Sequence, residues 1–593
     1  MKNIMRRRQM LVAGILILAA ILRLVLLGMK PPHFDEGVNG WFIDEMTKSG
    51  YYHYDPENYH GPFHFYLLFL FHTLMGRTVW ALRLPVVAFS MLAVWWMTKF
   101  DRFFGNRTCL IAALGMAVSP AMIFYGRYAI HESELLFFLI LMTWGIAGLW
   151  KFGEKKYLWS LGMGLTGSIL TMETYFIHVA CFLLAWPTLR LLEMIFRSSP
   201  QPFAEQKWRN RDLVAVTGVS ALLVLFFYSG GFLDPMLRET EPVLIKGINR
   251  AVELPAFITN TFIRPYAAWF ETGTKDGGGH VKSSYDLLLW HYNRGPQKIA
   301  VAIVNYYWIA LIVRHEWITL AGLLGVIRLL WPNTGRQIRY LGIYGVGAVV
   351  AYSLVPYKTP WCIISIIWPF YLVFGTIIED LCRLGTNAMD VFEPREQSPE
   401  NAGNDASPSP PGIIQPESAT VAEPTAIRFG PVCSKALATL LVAALCTASI
   451  LPAIRLNFFH CTDENEDYVY VQTLPDLYKL TDPLFKLTAE DPTCYHLAGT
   501  ILLSSYHPLP WVLGDFTAIG YYSDDKVPPE MDADFLLVED TRINQVEKGL
   551  KHAYFTEPLK LRSAQETSKL YLSREKFGNL FPGRTPEFDP HHE

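Results

Sequence analysis

The stretch that decides the fold is residues 10–29, MLVAGILILAAILRLVLLGM, which runs into Pro31-Pro32-His33-Phe34-Asp35-Glu36. A helix rises about 1.5 Å per residue, so roughly 20 apolar residues cross the hydrocarbon core of a bilayer. The run carries a single charge, Arg23, and it follows Arg6–Arg8. It is too long for a signal peptide and lacks a small-residue cleavage site, which predicts an uncleaved membrane anchor.

Apolar runs of the same kind recur along the chain. Of its residues, 51% are hydrophobic and 18% are charged, whereas a soluble chain carries roughly a quarter charged residues. The length criterion predicts about eleven crossings, so the fold class is an α-helical polytopic membrane protein. The crossings lie at residues 10–29, 79–98, 108–125, 134–150, 157–172, 174–192, 213–230, 305–331, 338–356, 361–381 and 435–454.

The loops between these runs alternate in charge. Lys and Arg in short loops mark the cytoplasmic side of a membrane protein. Basic residues fall in alternate loops, at Arg6–Arg8, Lys99–Arg107, Lys151–Lys156, Lys207–Arg211 and Arg328–Arg339. We therefore predict an integral protein of a cell (inner) membrane with a cytoplasmic N-terminus and an extracytoplasmic C-terminal domain. The net charge of −3 argues against a nucleic-acid partner.

Composition divides the chain into a membrane core at residues 1–383 and three later regions. Residues 384–433 are rich in Pro, Ser and acidic residues, which predicts a disordered cytoplasmic linker. Residues 434–454 form the last crossing, and residues 455–593 return to an ordinary soluble composition. Strand-like runs at Tyr468–Thr473, Phe535–Glu539 and Lys569–Leu572 predict a small α/β domain there. Cys461 and Cys494 fall in this domain, and the sequence leaves open whether they form a disulfide.

Asp35 and Glu36 are the clearest candidates for chemistry, because they stand where the first crossing leaves the membrane. A carboxylate beside apolar walls tends toward a raised pKa, which suits a general base. Two solvated surface acids, or an acidic start of the next helix, would give the same pattern. His60, in Tyr59-His60-Gly61-Pro62 of the same loop, could donate to a phosphate or orient Asp35, or it could be a satisfied interfacial histidine.

Other polar residues stand at the ends of later crossings. Arg127, His131 and Glu132 lie in one short loop, where charges are costly unless they are paired or used. Arg127 suits bidentate phosphate recognition, and Glu132 with His131 suits a divalent ion; an Arg127–Glu132 or Arg127–Asp35 ion pair is the alternative. Lys358 could neutralise a lipid phosphate or reach the headgroups, and Arg264 is a weaker candidate of the same kind.

These motifs resemble those of the GT-C membrane glycosyltransferases. The shared features are an Asp-Glu pair after the first crossing, His60-Gly61-Pro62, and an arginine (Arg127) five residues before an acid (Glu132). The protein O-mannosyltransferases and the aminoarabinose transferases acting on lipid A are the most similar branches. The motifs Tyr357-Lys358-Thr359-Pro360-Trp361, Tyr468-Val469-Tyr470 and His507-Pro508-Leu509-Pro510-Trp511 resemble a narrower subfamily. Its archaeal members are flippase activity-associated proteins of N-glycosylation.

The resemblance implies a GT-C fold and a role for each matched residue. Asp35 would be the general base and Glu36 its support, and Arg127 would contact the phosphate of the lipid donor. His60 matches the histidine of a His-Pro-Pro pattern in which Gly61 replaces the first proline. Glu132 matches an acid that is usually Asp in the mannosyltransferases, so whether a divalent metal takes part stays open.

Three functions follow from these features. The leading hypothesis is an enzyme that moves a sugar, with inversion, from a polyprenyl-phosphate donor to an acceptor on the extracytoplasmic face. The acceptor could be a protein, a lipid or a polysaccharide. The first alternative is a flippase or transport component for a lipid-linked sugar, although the sequence shows neither inverted repeats nor mid-membrane ionisable groups on broken helices. The second is an inactive scaffold whose external domain recruits partners.

Overall fold

The computed structural model describes residues 2–58, 60–196, 203–245, 250–266, 307–330, 334–355, 358–383, 431–523, 528, 531–563 and 565–591. The predicted linker lies outside these residues up to residue 430. The helices are α1 (Lys2–Leu24), α2 (Phe34–Ser49), α3 (Phe63–Met75), α4 (Val79–Met97), α5 (Asp101–Phe104), α6 (Asn106–Val118), α7 (Pro120–Tyr125), α8 (Glu132–Phe152), α9 (Lys155–Thr171), α10 (Tyr175–Ile195), α11 (Asn210–Tyr228), α12 (Ala256–Ile258), α13 (Tyr307–His315), α14 (Trp317–Leu324), α15 (Arg336–Leu354), α16 (Ile363–Arg383), α17 (Pro431–Ile454), α18 (Leu477–Glu490), α19 (Leu509–Val512), α20 (Ile543–Glu547) and α21 (Arg574–Phe577). The strands are β1 (Thr240–Ile245), β2 (Arg250–Pro255), β3 (Ala498–Leu502), β4 (Ala518–Tyr522), β5 (Phe535–Glu539), β6 (Tyr554–Leu559) and β7 (Ser568–Ser573).

The described residues contain six helices long and apolar enough to cross a membrane. A seventh span results if α13 and the helical stretch after it, which meet at a bend of 116°, are counted together. The predicted count of eleven is therefore not confirmed. Four predicted crossings lie on helices that are too short or too polar to meet this criterion. Helices α6 and α9 have 13 and 17 residues, α1 carries Arg6–Arg8 and Arg23, and α15 carries Arg336 and Arg339.

Glycines allow α8 and α9 to pack closely. A Cβ on Gly145 of α8 would lie 2.4 Å from the backbone nitrogen of Leu161. A Cβ on Gly164 of α9 would lie 2.4 Å from the backbone nitrogen of Met142. Small residues at such contacts let two backbones approach closely. Close packing of this kind holds helices together within a bilayer, where the hydrophobic effect does not drive their association. His131 immediately precedes α8, and Glu132 is its first residue.

A five-stranded mixed sheet lies near the C-terminus, in the order β4-β3-β5-β7-β6. Strand β3 runs parallel to β4 and β5, and β7 runs antiparallel to β5 and β6. All five residues of β5 are buried. Phe535 and Leu537 belong to one apolar cluster and Leu536 and Val538 to another, because alternate side chains point to opposite faces of a strand. Two predicted strand runs are thus strands, Phe535–Glu539 and Lys569–Leu572.

The third predicted strand run, Tyr468–Thr473, is wrong: apart from an isolated bridge at Thr473, it forms no strand. The segment passes instead between the helices. The Tyr125 hydroxyl donates to the Tyr468 carbonyl at 2.8 Å, and the Tyr128 hydroxyl donates to the Gln472 side chain at 2.8 Å. Cys461 and Cys494 are both free thiols.

Candidate active site

The first turn of α2 carries Asp35 and Glu36, and a capping box holds it in place. The ring of His33 accepts a hydrogen bond from the backbone N–H of Asp35 at 3.1 Å. The carboxylate of Glu36 accepts from the backbone N–H of His33 at 2.8 Å. Such a box satisfies two of the N–H groups that have no partner within the helix. The direction in which Asp35 leaves the helix is therefore set by its immediate neighbours in sequence.

His33 is tied to a segment far along the chain. Its Nε2 atom lies 2.7 Å from the carbonyl oxygen of Tyr470, so Nε2 carries the proton and Nδ1 is the acceptor for Asp35. The ring is buried, and burial lowers the pKa of His33. His33 is therefore a neutral cap that joins the start of α2 to the segment between the helices.

Glu36 lies inside the protein and is fully buried. Arg83 of α4 donates to it from Nε at 2.8 Å and from Nη2 at 2.6 Å. The backbone N–H of Ala129 donates a further bond at 2.9 Å. Burial alone would raise the pKa of Glu36, but the Arg83 charge and its hydrogen bonds outweigh burial and lower the pKa to about 2. Glu36 thus supports α2 from within, with its carboxylate bonded to Arg83 and to the backbone of His33 and Ala129.

Asp35 differs from its neighbour in every one of these respects. Its side chain is 36% exposed, and its Oδ2 atom lies 3.6 Å from Nδ1 of the neutral His33 ring. A carboxylate with free lone pairs at a fixed position can accept a proton from a hydroxyl that comes within hydrogen-bond reach. Of the predicted pair, Asp35 alone is available for that chemistry.

A stack of three histidines lies beside α2. The His131 ring lies between those of His60 and His64, with ring centroids 4.6 and 4.1 Å away. Carboxylates flank the stack, since Nδ1 of His60 is 2.9 Å from Glu173 and Nδ1 of His64 is 2.9 Å from Glu134. Burial lowers the pKa of His60, but the Glu173 charge and hydrogen bond outweigh it and the net shift is upward. His60 is thus the member of the stack best suited to carry a positive charge.

The region around the C-terminal sheet covers the other side of α2. The guanidinium of Arg562 lies over the ring of Phe34, 4.7 Å from its centroid, and it interacts electrostatically with Asp35. Its Nη1 atom donates to the His507 carbonyl at 2.6 Å. A Cβ on Gly37 would lie 2.3 Å from the Cα of Pro508, so this contact requires glycine. Asp35 therefore stands between the helical core and a cation from the C-terminal part.

Residues 59–197 match the family model described as dolichyl-phosphate-mannose-protein mannosyltransferase. Among solved structures, the chain is similar to ArnT from Cupriavidus metallidurans in the apo state and bound to undecaprenyl phosphate. In both cases the identity is 12%, the match covers 94% of this chain and 97% of that chain, and the TM-score is 0.50. No curated protein sequence matches the chain. ArnT is a GT-C aminoarabinose transferase.

Over nearly its whole length, the chain shares the fold of ArnT. The likeness to the GT-C glycosyltransferases that its motifs predicted is thereby confirmed. His60, Arg127, His131 and Glu132 all fall inside the range that matches the family model, whereas Asp35 precedes it.

Three of the predicted phosphate-binding cations have partners within the protein. Arg127 donates to four carbonyl oxygens at the end of α1, the shortest bond being 2.7 Å to Val25. The Lys358 ammonium donates to the carbonyls of Tyr352, Ser353 and Val355 at the end of α15. Arg264 forms an ion pair with Glu241 at 2.7 Å. Neither alternative ion pair of Arg127, with Glu132 or with Asp35, is present. A phosphate-binding role for each of the three stays a prediction.

Glu132 is buried, and none of the described cations forms an ion pair with it. It lies close enough to Glu173 and Asp35 for both to repel its negative charge. His131 is held in the histidine stack, with no hydrogen-bond partner for its Nε2 atom. Over the described part of the chain, no three His, Cys, Asp or Glu side chains are grouped to hold a metal ion. The two residues predicted as a metal pair therefore do not form a metal site by themselves.

Sequence reasoning missed Arg83, Glu173 and Arg562. Arg83 lies inside a predicted crossing, and Glu173 lies between two of them. An ionisable residue within or beside a membrane crossing costs free energy unless it is paired. This rule could have singled out both Arg83 and Glu173 from the sequence. No local signal marks Arg562, since it reaches Phe34 only through the tertiary fold.

Proposed function

We propose that this protein is a membrane glycosyltransferase that moves a sugar from a polyprenyl-phosphate donor to an acceptor on the extracytoplasmic face, with inversion. The observation that carries the proposal is the half-exposed carboxylate of Asp35, held at the start of α2 by buried His33 and Glu36. The family description of residues 59–197 and the likeness to a protein bound to undecaprenyl phosphate support the same reaction class.

In the proposed reaction, Asp35 accepts the proton of an acceptor hydroxyl as the oxygen attacks the anomeric carbon of the donor sugar. The bond from that carbon to the phosphate oxygen breaks, and the polyprenyl phosphate leaves with the bonding electrons. Because attack and departure occur on opposite faces, the anomeric configuration inverts. The general base needs to be fixed in place rather than flexible, which is what the His33 cap and the buried Glu36 provide.

The leaving phosphate gains negative charge, and fixed cations lower the energy of that step. His60 is one candidate, because Glu173 raises its pKa and so favours the imidazolium. Arg562 is another candidate, because it lies over the ring of Phe34 and interacts electrostatically with Asp35. The predicted orientation belongs to the same proposal: a cytoplasmic N-terminus, an extracytoplasmic region after α17, and membrane lipids around the helices.

The bend between α13 and α14 is the observation that favours a second candidate function. Buried Glu316 stands at this break and accepts hydrogen bonds from the Ser119 hydroxyl at 2.7 Å and the Ala121 N–H at 2.8 Å. The sequence interpretation expected no ionisable group of this kind. Broken helices with a buried ionisable residue occur in transporters, so movement of a lipid-linked sugar without transfer is the alternative.

A complementation experiment tests the proposal. Cells lacking the protein receive the wild type, Asp35→Asn or Asp55→Asn, and their surface glycans are compared. Asp55→Asn is the matched control, since Asp55 lies in the same loop and caps a turn with an oxygen that Asn retains. We expect Asp35→Asn alone to lose the transferred sugar while reaching the membrane at the wild-type level. Normal transfer by Asp35→Asn, or lipid-linked sugar movement in vesicles with no transfer product, would refute it.

A further inference from the structure

Residues 467–472 connect the bend between α13 and α14 with the start of α2, and we call this segment the tether. It lies between α17 and α18 in the chain. One end of the tether contacts the bend, and the other end contacts the His33 cap. Its position therefore depends on both places.

At the bend, three consecutive residues hold the tether. The Asp467 carboxylate lies 2.8 Å from Nε2 of His315 and 3.1 Å from Nη1 of Arg314. The Tyr468 hydroxyl donates to Glu316 at 3.2 Å. Tyr468 and Glu316 are each 1% exposed, so water does not compete for this bond and a low local dielectric strengthens it. The first two residues of the tether are thus fixed to the break in the helix.

At its other end, the tether holds the residues from which the chain enters α2. The Tyr470 carbonyl accepts from Nε2 of His33 at 2.7 Å, and the Gln472 side chain donates to the Pro31 carbonyl at 3.0 Å. The hydrogen bond made by one ring nitrogen of a histidine sets which nitrogen carries the proton. Because Tyr470 places the proton on Nε2, it leaves Nδ1 of His33 to accept from the Asp35 N–H.

The backbone of the tether is strained between these two ends. Val471 has a φ of 51°, and a β-branched residue rarely adopts this left-handed region. Such a conformation persists only where surrounding contacts hold it. A return of φ to negative values would relieve the strain, but it would also turn the peptide group that contains the Tyr470 carbonyl. The tether therefore presents this carbonyl to His33 only while its other contacts hold.

We propose that Glu316 and Tyr468 are positioning residues for Asp35, which they reach through the tether; this inference rests on the proposed transfer reaction. When the hydrogen bond between Glu316 and Tyr468 is lost, Val471 relaxes and the tether carbonyl leaves His33. The Asp35 N–H then loses its fixed acceptor. A general base that is held less precisely is slower in the chemical step, whereas binding of the donor lipid is unaffected.

The first experiment measures amide hydrogen exchange of residues 33–37 in the full-length protein in detergent, for Tyr468→Phe and Tyr340→Phe. Both substitutions remove a buried hydroxyl that donates a hydrogen bond; the control bond joins Tyr340 to the Phe182 carbonyl at 2.7 Å. We expect exchange to rise roughly two- to tenfold in Tyr468→Phe, the factor that one lost hydrogen bond produces. It should stay at the wild-type rate in Tyr340→Phe. Equal exchange in the two variants would overturn the proposal.

The second experiment measures sugar transfer by the same proteins. Tyr468→Phe should lower kcat with little change in KM, and Tyr340→Phe should keep both. A wild-type kcat in Tyr468→Phe would overturn the positioning role. If the wild type itself transfers no sugar, the proposed function fails instead. The exchange measurement distinguishes the two failures, because it needs no substrate.

A third experiment tests the strain at Val471. Glycine adopts a positive φ without steric cost, so Val471→Gly removes the drive to relax. Added to Tyr468→Phe, it should return the exchange of residues 33–37 toward the wild-type rate. Val469→Gly is the matched control, since it adds the same freedom at a residue of the tether without a positive φ. No rescue by Val471→Gly, or an equal rescue by Val469→Gly, would overturn the proposal.

Discussion

Glu36 and Arg83 form a bidentate ion pair in the interior, with N–O distances of 2.8 and 2.6 Å and neither side chain exposed. The pair joins the start of α2 to α4 across 47 positions of sequence. Because Asp35 is the residue before Glu36, this pair also fixes the backbone that presents the proposed base. It links the stability of the fold to the geometry of the site.

Glu36→Gln should destabilise the protein by about 3–5 kcal/mol, because it leaves Arg83 as an unpaired buried charge. The measurement is the free energy of unfolding in detergent. Glu45→Gln breaks a surface pair with Lys48 and is the matched control, with a change within about 1 kcal/mol. Equal losses for the two variants would contradict the structural role of Glu36.

The pH dependence of the wild type follows from the same pair. The pKa of Glu36 is lowered from 4.5 to about 2 in the folded state. A lowered carboxyl pKa contributes stability above its unfolded value, and that contribution is lost as the pH falls through the folded value. Between pH 4.5 and 2 the wild type should therefore lose more stability than Glu36→Gln does.

His33→Ala should cost about 1 kcal/mol of stability, the usual effect of removing a helix N-cap. His33→Asn should recover most of that loss, since Asn can accept from the Asp35 N–H, but it does not reproduce the Nε2 contact with Tyr470. We expect sugar transfer to fall in both variants, with the larger change in kcat rather than KM. Full transfer by His33→Ala would show that the cap does not position Asp35.

Glu173→Gln should change the pH profile of transfer. Glu173 raises the pKa of His60 against the effect of burial, so the wild-type imidazolium persists to higher pH. Without that charge, burial dominates and the pKa of His60 falls. The alkaline limb of the profile should then shift to lower pH, and His60→Gln should remove that limb. An unshifted limb in Glu173→Gln would exclude His60 as the titrating cation.

Gly37→Ala should weaken the contact between α2 and the C-terminal part, because the added Cβ would overlap the backbone of Pro508. Overpacking of this kind costs about 1–3 kcal/mol. Gly14→Ala in α1 is the matched control, since its Cβ meets no atom within 4 Å. We expect Gly37→Ala to reduce transfer while Gly14→Ala leaves it unchanged, measured by the same complementation.

The amino-acid sequence by itself determined the helical membrane class, the placement of Asp35 and Glu36 after the first apolar run, and the strands at Phe535–Glu539 and Lys569–Leu572. These features depend on composition and on short-range periodicity, which a single sequence displays directly. The predicted count of eleven crossings is not confirmed, because α1 and α15 carry charged residues and α6 and α9 are shorter than 18 residues.

Only the tertiary structure decided how the polar residues are used. It separated half-exposed Asp35 from buried Glu36 through Arg83, paired His60 with Glu173, and directed Arg127 to the carbonyls of α1. It also brought Tyr470 to His33 across 437 positions. Such contacts depend on how distant segments pack, and burial then sets whether a charge must be paired. Local sequence therefore shows which residues are able to do chemistry, and packing selects those that remain available for it.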